Sequence, residues 1–91
     1  ARIPHEDIIC LEADKNYTLI HIRGVNRPKL VRYLMSEIQR MLPEEKFVRV
    51  HKSYVVNRKL ITSLTANQVD LGEFKFPVGR AYRGNLINDQ L

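Results

Sequence analysis

The sequence predicts a mostly β domain with one short α-helix. Three observations lead there. Short apolar stretches with strand-like alternation recur along the chain, polar turn clusters separate them, and a single segment repeats its apolar residues at helical spacing.

Ile8 to Ala13 reads as the first strand, with Ile8 and Cys10 on one face and Ile9, Leu11 and Ala13 on the other. Asp14-Lys15-Asn16 is a polar turn. Tyr17 to Arg23 alternates again, Tyr17, Leu19 and His21 against Thr18, Ile20 and Ile22, so the two strands read as a hairpin. Gly24-Val25-Asn26 makes the next turn. In "KLVRYLMSEIQRMLP" the residues Leu30, Leu34, Ile38 and Leu42 recur every four positions, and Val31, Met35 and Met41 widen the stripe. That is an amphipathic helix facing a core. Pro43 marks its end, because the residue before a proline is pushed out of helical geometry. Its start has two readings: from Lys29, or from about Tyr33 with Lys29 to Tyr33 extended.

After Pro43 the strands resume. Phe47 to Val50 and Tyr54 to Asn57 flank the polar triplet "HKS", and "KLITSLT" (Lys59 to Thr65) follows. Ala66-Asn67-Gln68 turns the chain into "VDL", and Leu71-Gly72-Glu73 turns it into "FKFPV". The closing "RAYRGNLINDQL" opens with a short helical turn that Gly84 weakens.

With 91 residues the chain fits one domain, residues 1–91. It does not begin with Met, which predicts a piece excised from a longer protein. No apolar run approaches the roughly 20 residues of a membrane span, and no signal peptide follows Ala1-Arg2-Ile3-Pro4. The single cysteine, Cys10, cannot form an internal disulfide and reads as a small buried residue, which fits a cytoplasmic protein.

Lys and Arg outnumber Asp and Glu by 15 to 10, giving a net charge of +5. The basic residues are grouped. Lys46 to Lys59 contains Lys46, Arg49, Lys52, Arg58 and Lys59 without an acid, and Lys75 to Arg83 contains Lys75, Arg80 and Arg83 without one. Such stretches favour an anionic partner. Neither metal chemistry nor catalysis finds a constellation. His5, His21, His51 and Cys10 are too scattered to complete a ligand set. His51 and Ser53 lie two apart, but no nucleophile elbow and no glycine-rich phosphate loop accompanies them. Glu44-Glu45 follows a helix-ending proline and reads as solvated. No enzyme activity, metal or cofactor is expected.

The segment "FVRVHKSYVVN" (Phe47 to Asn57) sets strand residues around a polar centre. An interrupted strand holds such a triplet in a loop or bulge, where it points outward from a rigid sheet. Its side chains can donate to phosphates, and Arg, Lys and Asn can also read base edges. A basic surface that binds nothing in particular fits the composition as well.

That segment resembles the hallmark of the LytTR DNA-binding domain, the output domain of LytR/AlgR-type response regulators: Phe-x-Arg-x-His-Arg/Lys-Ser-aromatic-aliphatic-Val-Asn. Phe47, Arg49, His51, Lys52, Ser53, Tyr54, Val55, Val56 and Asn57 all fit. "DIICLEADKNYTLIHI", "EIQRMLPEEKF" and "FKFPVGRAYRGNL" resemble the family's opening hairpin, helix with following loop, and closing segment. The likeness covers about Ile3 to Leu86. It implies an elongated arrangement of short antiparallel strands and sheets with one short helix, at about 33–42. It also implies binding of double-stranded DNA through loops, two copies as a homodimer on a direct repeat, and an N-terminal receiver or other regulatory domain in a bacterial two-component regulator.

By position, the resemblance assigns DNA contact to Lys15, Asn16 and Tyr17 in the hairpin loop. It adds His51, Lys52 and Ser53 at the hallmark's centre, and Arg80 and Arg83 in the closing segment. Arg80 is expected at a guanine edge, Tyr17 near a base, and Lys52, Ser53 and Arg83 on the backbone. His51 is open between DNA contact and holding the loop's shape, and Arg49 between a structural and a DNA role. Gly79 stands where the family often has Ser, and Leu34 where many members put a small polar helix cap. Two other classes compete. One is an interaction or dimerisation module using an exposed strand edge. The other is a single-strand or RNA binder stacking bases on Tyr17, Tyr54 and Tyr82.

Overall fold

Eight strands and one α-helix make up the described part of the protein. The computed structural model describes the backbone of residues 3–90 and the side chains of residues 3–86. Ala1, Arg2 and Leu91, on which any reading of the chain ends bears, lie outside the described residues. In order the elements are β1 (Ile8–Asp14), β2 (Tyr17–Ile22), β3 (Lys29–Val31), α1 (Met35–Met41), β4 (Phe47–His51), β5 (Tyr54–Asn57), β6 (Ser63–Leu64), β7 (Gln68–Leu71) and β8 (Phe74–Pro77). Short 3-10 turns at His5–Asp7 and Arg58–Leu60 and a longer 3-10 segment at Arg80–Gln90 complete them.

All pairing is antiparallel. Five strands form one sheet in the order β3-β2-β1-β5-β4, and β6-β7-β8 form a second. The large sheet is covered on both faces. On one, Ile8, Leu11, Ile20, Phe47 and Val55 pack with Met35 and Ile38 of α1. On the other, Cys10, Val48, Val50 and Val56 pack with Val69, Leu71 and Phe76 of the small sheet and with Val78 and Leu86. Val50, Val55 and Val56 are fully buried, each worth about 1.5–3 kcal/mol relative to exposure. The extents, 35 × 25 × 21 Å, fit the elongated arrangement that the resemblance implies. No helix among the described residues is long and apolar enough to cross a membrane.

Two local readings are corrected and one is decided between its alternatives. First, β1 does not alternate throughout. Its register shifts between Ile8 and Cys10, so Ile8 joins Leu11 on the helix side and Cys10 faces the small sheet. A bulge inserts one residue and flips the faces beyond it. Second, the shorter of the two helix readings holds: α1 spans Met35–Met41, within two residues of the expected 33–42, and the extended segment before it pairs as a strand at Lys29–Val31. Leu30 and Leu34 are about half exposed and Met41 more so. They sit on an edge strand, at the helix entry and on an outer helix flank, not on a core stripe. The entry is fixed twice: the Thr18 hydroxyl donates to the Tyr33 carbonyl at 2.7 Å, and Glu37 Oε1 accepts the Leu34 N–H at 2.9 Å. The Glu37 carboxylate thus closes the helix start that Leu34 cannot cap with its own side chain. Third, only Ser63–Leu64 of "KLITSLT" pairs as a strand. Asn57 Oδ1 accepts the Lys59 N–H at 3.1 Å and winds the preceding residues into the 3-10 turn.

Candidate nucleic-acid interface

The antiparallel order of β2, β1, β5 and β4 brings two hairpin turns to the same end of the large sheet. Asp14 and Tyr17 close the first around Lys15 and Asn16. Lys15 takes the left-handed backbone region at φ 58. Lys15 and Asn16 are exposed and Tyr17 is half-buried. The second turn is shorter than "HKS" suggests. His51 remains in β4, paired with Tyr54, so only Lys52 and Ser53 form the turn. A register shift between Arg49 and His51 precedes it. The Ala13 N–H donates to the Ser53 carbonyl at 2.9 Å, which ties the two turns side by side.

Side chains of the hallmark hold this turn from within. His51 Nδ1 accepts the Ser53 N–H at 3.0 Å. The His51 ring lies 5.4 Å from Tyr54, whose ring packs 4.9 Å from Phe76. Arg49 is half-buried. Its Nε donates to the His51 carbonyl at 3.2 Å, and its Nη2 donates to the Lys52 carbonyl. The same guanidinium lies 5.5 Å from the Tyr82 ring centroid. Arg49 therefore joins the turn to the closing segment.

The closing segment docks beside β4. The Gly79 N–H donates to the Val50 carbonyl at 2.7 Å, and Asn85 Nδ2 donates to the Arg49 carbonyl at 3.0 Å. A Cβ at Gly79 would meet Tyr82 Cδ2 at 3.0 Å and His51 Cα at 3.6 Å. Glycine here lets the backbone approach the turn closely. Arg80 follows directly and is exposed. Arg83 is oriented differently. Its Nε donates to the Ala66 carbonyl at 3.0 Å and its Nη2 to Asn67 Oδ1 at 2.7 Å, so much of its hydrogen-bonding capacity goes to the β6–β7 turn.

One exposed cation on this end escapes sequence reading. The β2–β3 register pairs Thr18 with Val31, the last residue of β3, and Arg32 follows directly. It is exposed. The row across the sheet is then Arg32, the Lys15-Asn16-Tyr17 turn, the Lys52-Ser53 turn, and Arg80, with Asp14 as the acid within it. Among the described residues, Lys15, Arg32, Lys52 and Arg80 make no side-chain ion pair. The only signal for Arg32 in the sequence is the alternative extended reading of Lys29 to Tyr33.

Two neighbouring groups are structural. His21 Nε2 and Glu12 Oε1 lie 3.0 Å apart, and the His21 ring meets Phe74 edge-on. Burial, with a smaller push from Glu12, raises the Cys10 thiol to about 12. Among the described residues no cluster of three His, Cys, Asp or Glu is placed to hold a metal.

The family model described as LytTr DNA-binding domain matches residues 1–88. A solved structure described as the LytTr DNA-binding domain of a methyl-accepting/DNA response regulator from Bacillus cereus matches with a TM-score of 0.83 and 20% identity, covering 97% of this chain and 84% of that one. At that identity the match shows the fold. No curated protein matches. The chain belongs to the LytTR DNA-binding domain family, a DNA-binding rather than an enzyme class, and its work is DNA binding in transcription regulation.

Proposed function

We propose that the domain reads duplex DNA sequence-specifically through the turns gathered at one end of its large sheet. It does so as the output domain of a cytoplasmic bacterial response regulator, with two copies on a direct repeat and a receiver or other regulatory domain N-terminal to it. The observation that carries this reading is the pair of backbone bonds Ala13 to Ser53 and Gly79 to Val50. They fix three segments distant in sequence in one rigid row of exposed donors.

Arg80 suits the two acceptors of a guanine edge in the major groove. Tyr17, with Lys15 and Asn16, meets a second set of bases. Lys52 and Ser53 fix register on phosphates between them, and Arg83 donates to the backbone with the part of its guanidinium that the Ala66-Asn67 turn leaves. Arg32 adds a phosphate contact at the β3 edge. The row from β3 to the closing segment spans about five strand spacings, or about 24 Å. At about 3.4 Å per base pair that covers about 7 base pairs per copy.

Selection of bound sequences from a random duplex pool tests the proposal. A recovered direct repeat with half-sites of that length supports it. Absence of enrichment, or displacement of duplex by single strands, overturns it.

A further inference from the structure

The opposite end of the large sheet carries a small cleft of about 110 Å³. Four segments distant in sequence build it: the His5–Asp7 turn, the residue after β2, the start of β4, and the 3-10 turn after β5. Hydrogen bonds fix their backbones. The Arg23 N–H donates to the Asp7 carbonyl at 2.7 Å, and the Arg58 N–H donates to the Lys46 carbonyl at 2.9 Å. Asn57 Nδ2 donates to the Ile8 carbonyl at 2.9 Å while its Oδ1 accepts from Lys59 N–H at 3.1 Å.

Phe47, 2% exposed, and the half-buried Leu60 supply apolar wall. The His5 ring stands edge-on to Phe47, with centroids 6.5 Å apart. Arg23, Lys46 and Lys59 also line the cleft, and Glu6 is the one acid in its lining. None of the three cations makes an ion pair among the described residues. Glu44 and Glu45, adjacent to Lys46 in sequence, are exposed and make none either. Like charges gathered against an apolar wall focus positive potential and concentrate counter-anions.

Size decides the class of anion. A volume of 110 Å³ corresponds to about three or four waters and falls well below the roughly 300 Å³ at which pockets for drug-sized ligands begin. A single tetrahedral oxyanion fits, and a nucleotide does not. The cleft lies a full strand length from the turns, because Phe47 and Asn57 are the ends of β4 and β5 remote from Lys52 and Ser53. DNA on the turns would leave it open.

We infer that this cleft binds a phosphoryl-type oxyanion, free as inorganic phosphate or carried on a small phosphomonoester. The test is an amide NMR titration of the chain with inorganic phosphate and, separately, glycerol phosphate, each at constant ionic strength in chloride. Saturable shifts are expected at Arg23, Lys46 and Lys59 at millimolar concentration or below. They should weaken at least tenfold in Lys46→Met/Lys59→Met and be unchanged in Lys52→Met. Tighter binding of glycerol phosphate identifies the phosphomonoester as the source, and equal or weaker binding identifies free phosphate. Both lysines are exposed, and a matching denaturation midpoint for the double variant confirms that it folds. Linear shifts without saturation, shifts equal at Lys15, Lys52 and Arg80, or shifts that survive the double substitution overturn the inference.

Discussion

The Nδ1 atom of His51 accepts the backbone N–H of Ser53 at 3.0 Å, inside the turn that presents Lys52. Accepting at Nδ1 puts the neutral ring's proton on Nε2. His51→Ala deletes this bond and should cost about 0.5–1.5 kcal/mol of stability. DNA affinity should fall several-fold, since Lys52 and Ser53 lose their fixed geometry. The salt dependence of binding should stay the same, because no phosphate-neutralising charge is lost. His51→Asn should behave close to the parent, because an Asn side-chain oxygen accepts the N–H two residues on. Affinities at several salt concentrations, with urea denaturation, check this. A shallower salt slope in His51→Ala would point instead to a charged histidine on a phosphate.

Lys15 holds a left-handed backbone at φ 58, a region that costs a non-glycine residue about 1–2 kcal/mol. Glycine removes that cost but adds freedom to the unfolded chain, worth about 0.5–1 kcal/mol. Lys15→Gly should therefore stabilise the domain by up to about 1 kcal/mol, a rise of several degrees in Tm for a chain of this size. DNA affinity should fall at the same time. Thermal melts and binding isotherms on one sample check both halves. A variant that melts higher and binds equally well would remove Lys15 from the interface.

The first hairpin and the interrupted strand were legible because each is announced by short-range pattern: alternation, turn residues, a polar break between β-branched residues; the closing segment was marked only by the family resemblance. The β1 bulge was not, since one inserted residue reverses every face after it while leaving composition untouched. The edge strand β3 was legible only as one of two readings, for a different reason. Leu30, Leu34, Ile38 and Leu42 keep helical spacing, yet only Ile38 is buried and Leu42 partly so. Periodicity cannot tell an edge strand followed by a short helix from one longer helix. Arg32 was missed, because only the β2–β3 register brings the end of β3 next to the start of β2. The inward-facing work of Arg49 and His51 depends on side-chain geometry that no spacing rule encodes.

Arg49 joins two parts of the proposed interface, through the His51 and Lys52 carbonyls and through the Tyr82 ring. Charged hydrogen bonds contribute about 1.5–3 kcal/mol and an exposed cation–π contact about 0.5–1 kcal/mol. Arg49→Met should cost about 2 kcal/mol. Arg49→Lys should recover little, because an ammonium cannot fork to two carbonyls while lying flat on a ring. The coupling between Arg49→Met and Tyr82→Leu in a double-mutant cycle should be about 0.5–1 kcal/mol. Gly79→Ala should reduce that coupling by displacing the Tyr82 ring, which its new Cβ would meet at 3.0 Å. Denaturation of the single and double variants measures each term.

Burial holds the Cys10 thiol protonated up to about 12, against 9.0 for an ordinary thiol. A thiolate is the reactive form, so native Cys10 should resist aromatic disulfide reagents at pH 8 and react promptly in denaturant. The linkage has a definite sign. The folded state keeps its proton where the unfolded state loses it, so stability is unaffected below pH 9 and declines as pH rises from 9 towards 12. Cys10→Ala should flatten that alkaline decline while lowering stability at neutral pH through lost packing. An equally steep decline in Cys10→Ala would assign it to other groups.

Arg80 and Lys52 stand close in the row yet are proposed for different tasks, and the two tasks separate experimentally. An arginine reading a guanine edge discriminates between bases, so Arg80→Ala should cost about 1–3 kcal/mol on the selected site and relax preference at one position. It should cost less on unrelated duplex. A lysine on a phosphate carries no sequence information, so Lys52→Ala should weaken all duplexes alike. It should also reduce the slope of log K against log salt by about one unit. Measuring both variants on the selected site and on scrambled duplex, across a salt series, gives four results that the assignment must satisfy together. Uniform weakening by Arg80→Ala would place Arg80 on the backbone. An unchanged salt slope in Lys52→Ala would take Lys52 off it and shift the register-fixing role to Lys15 and Arg32 at the other end of the row.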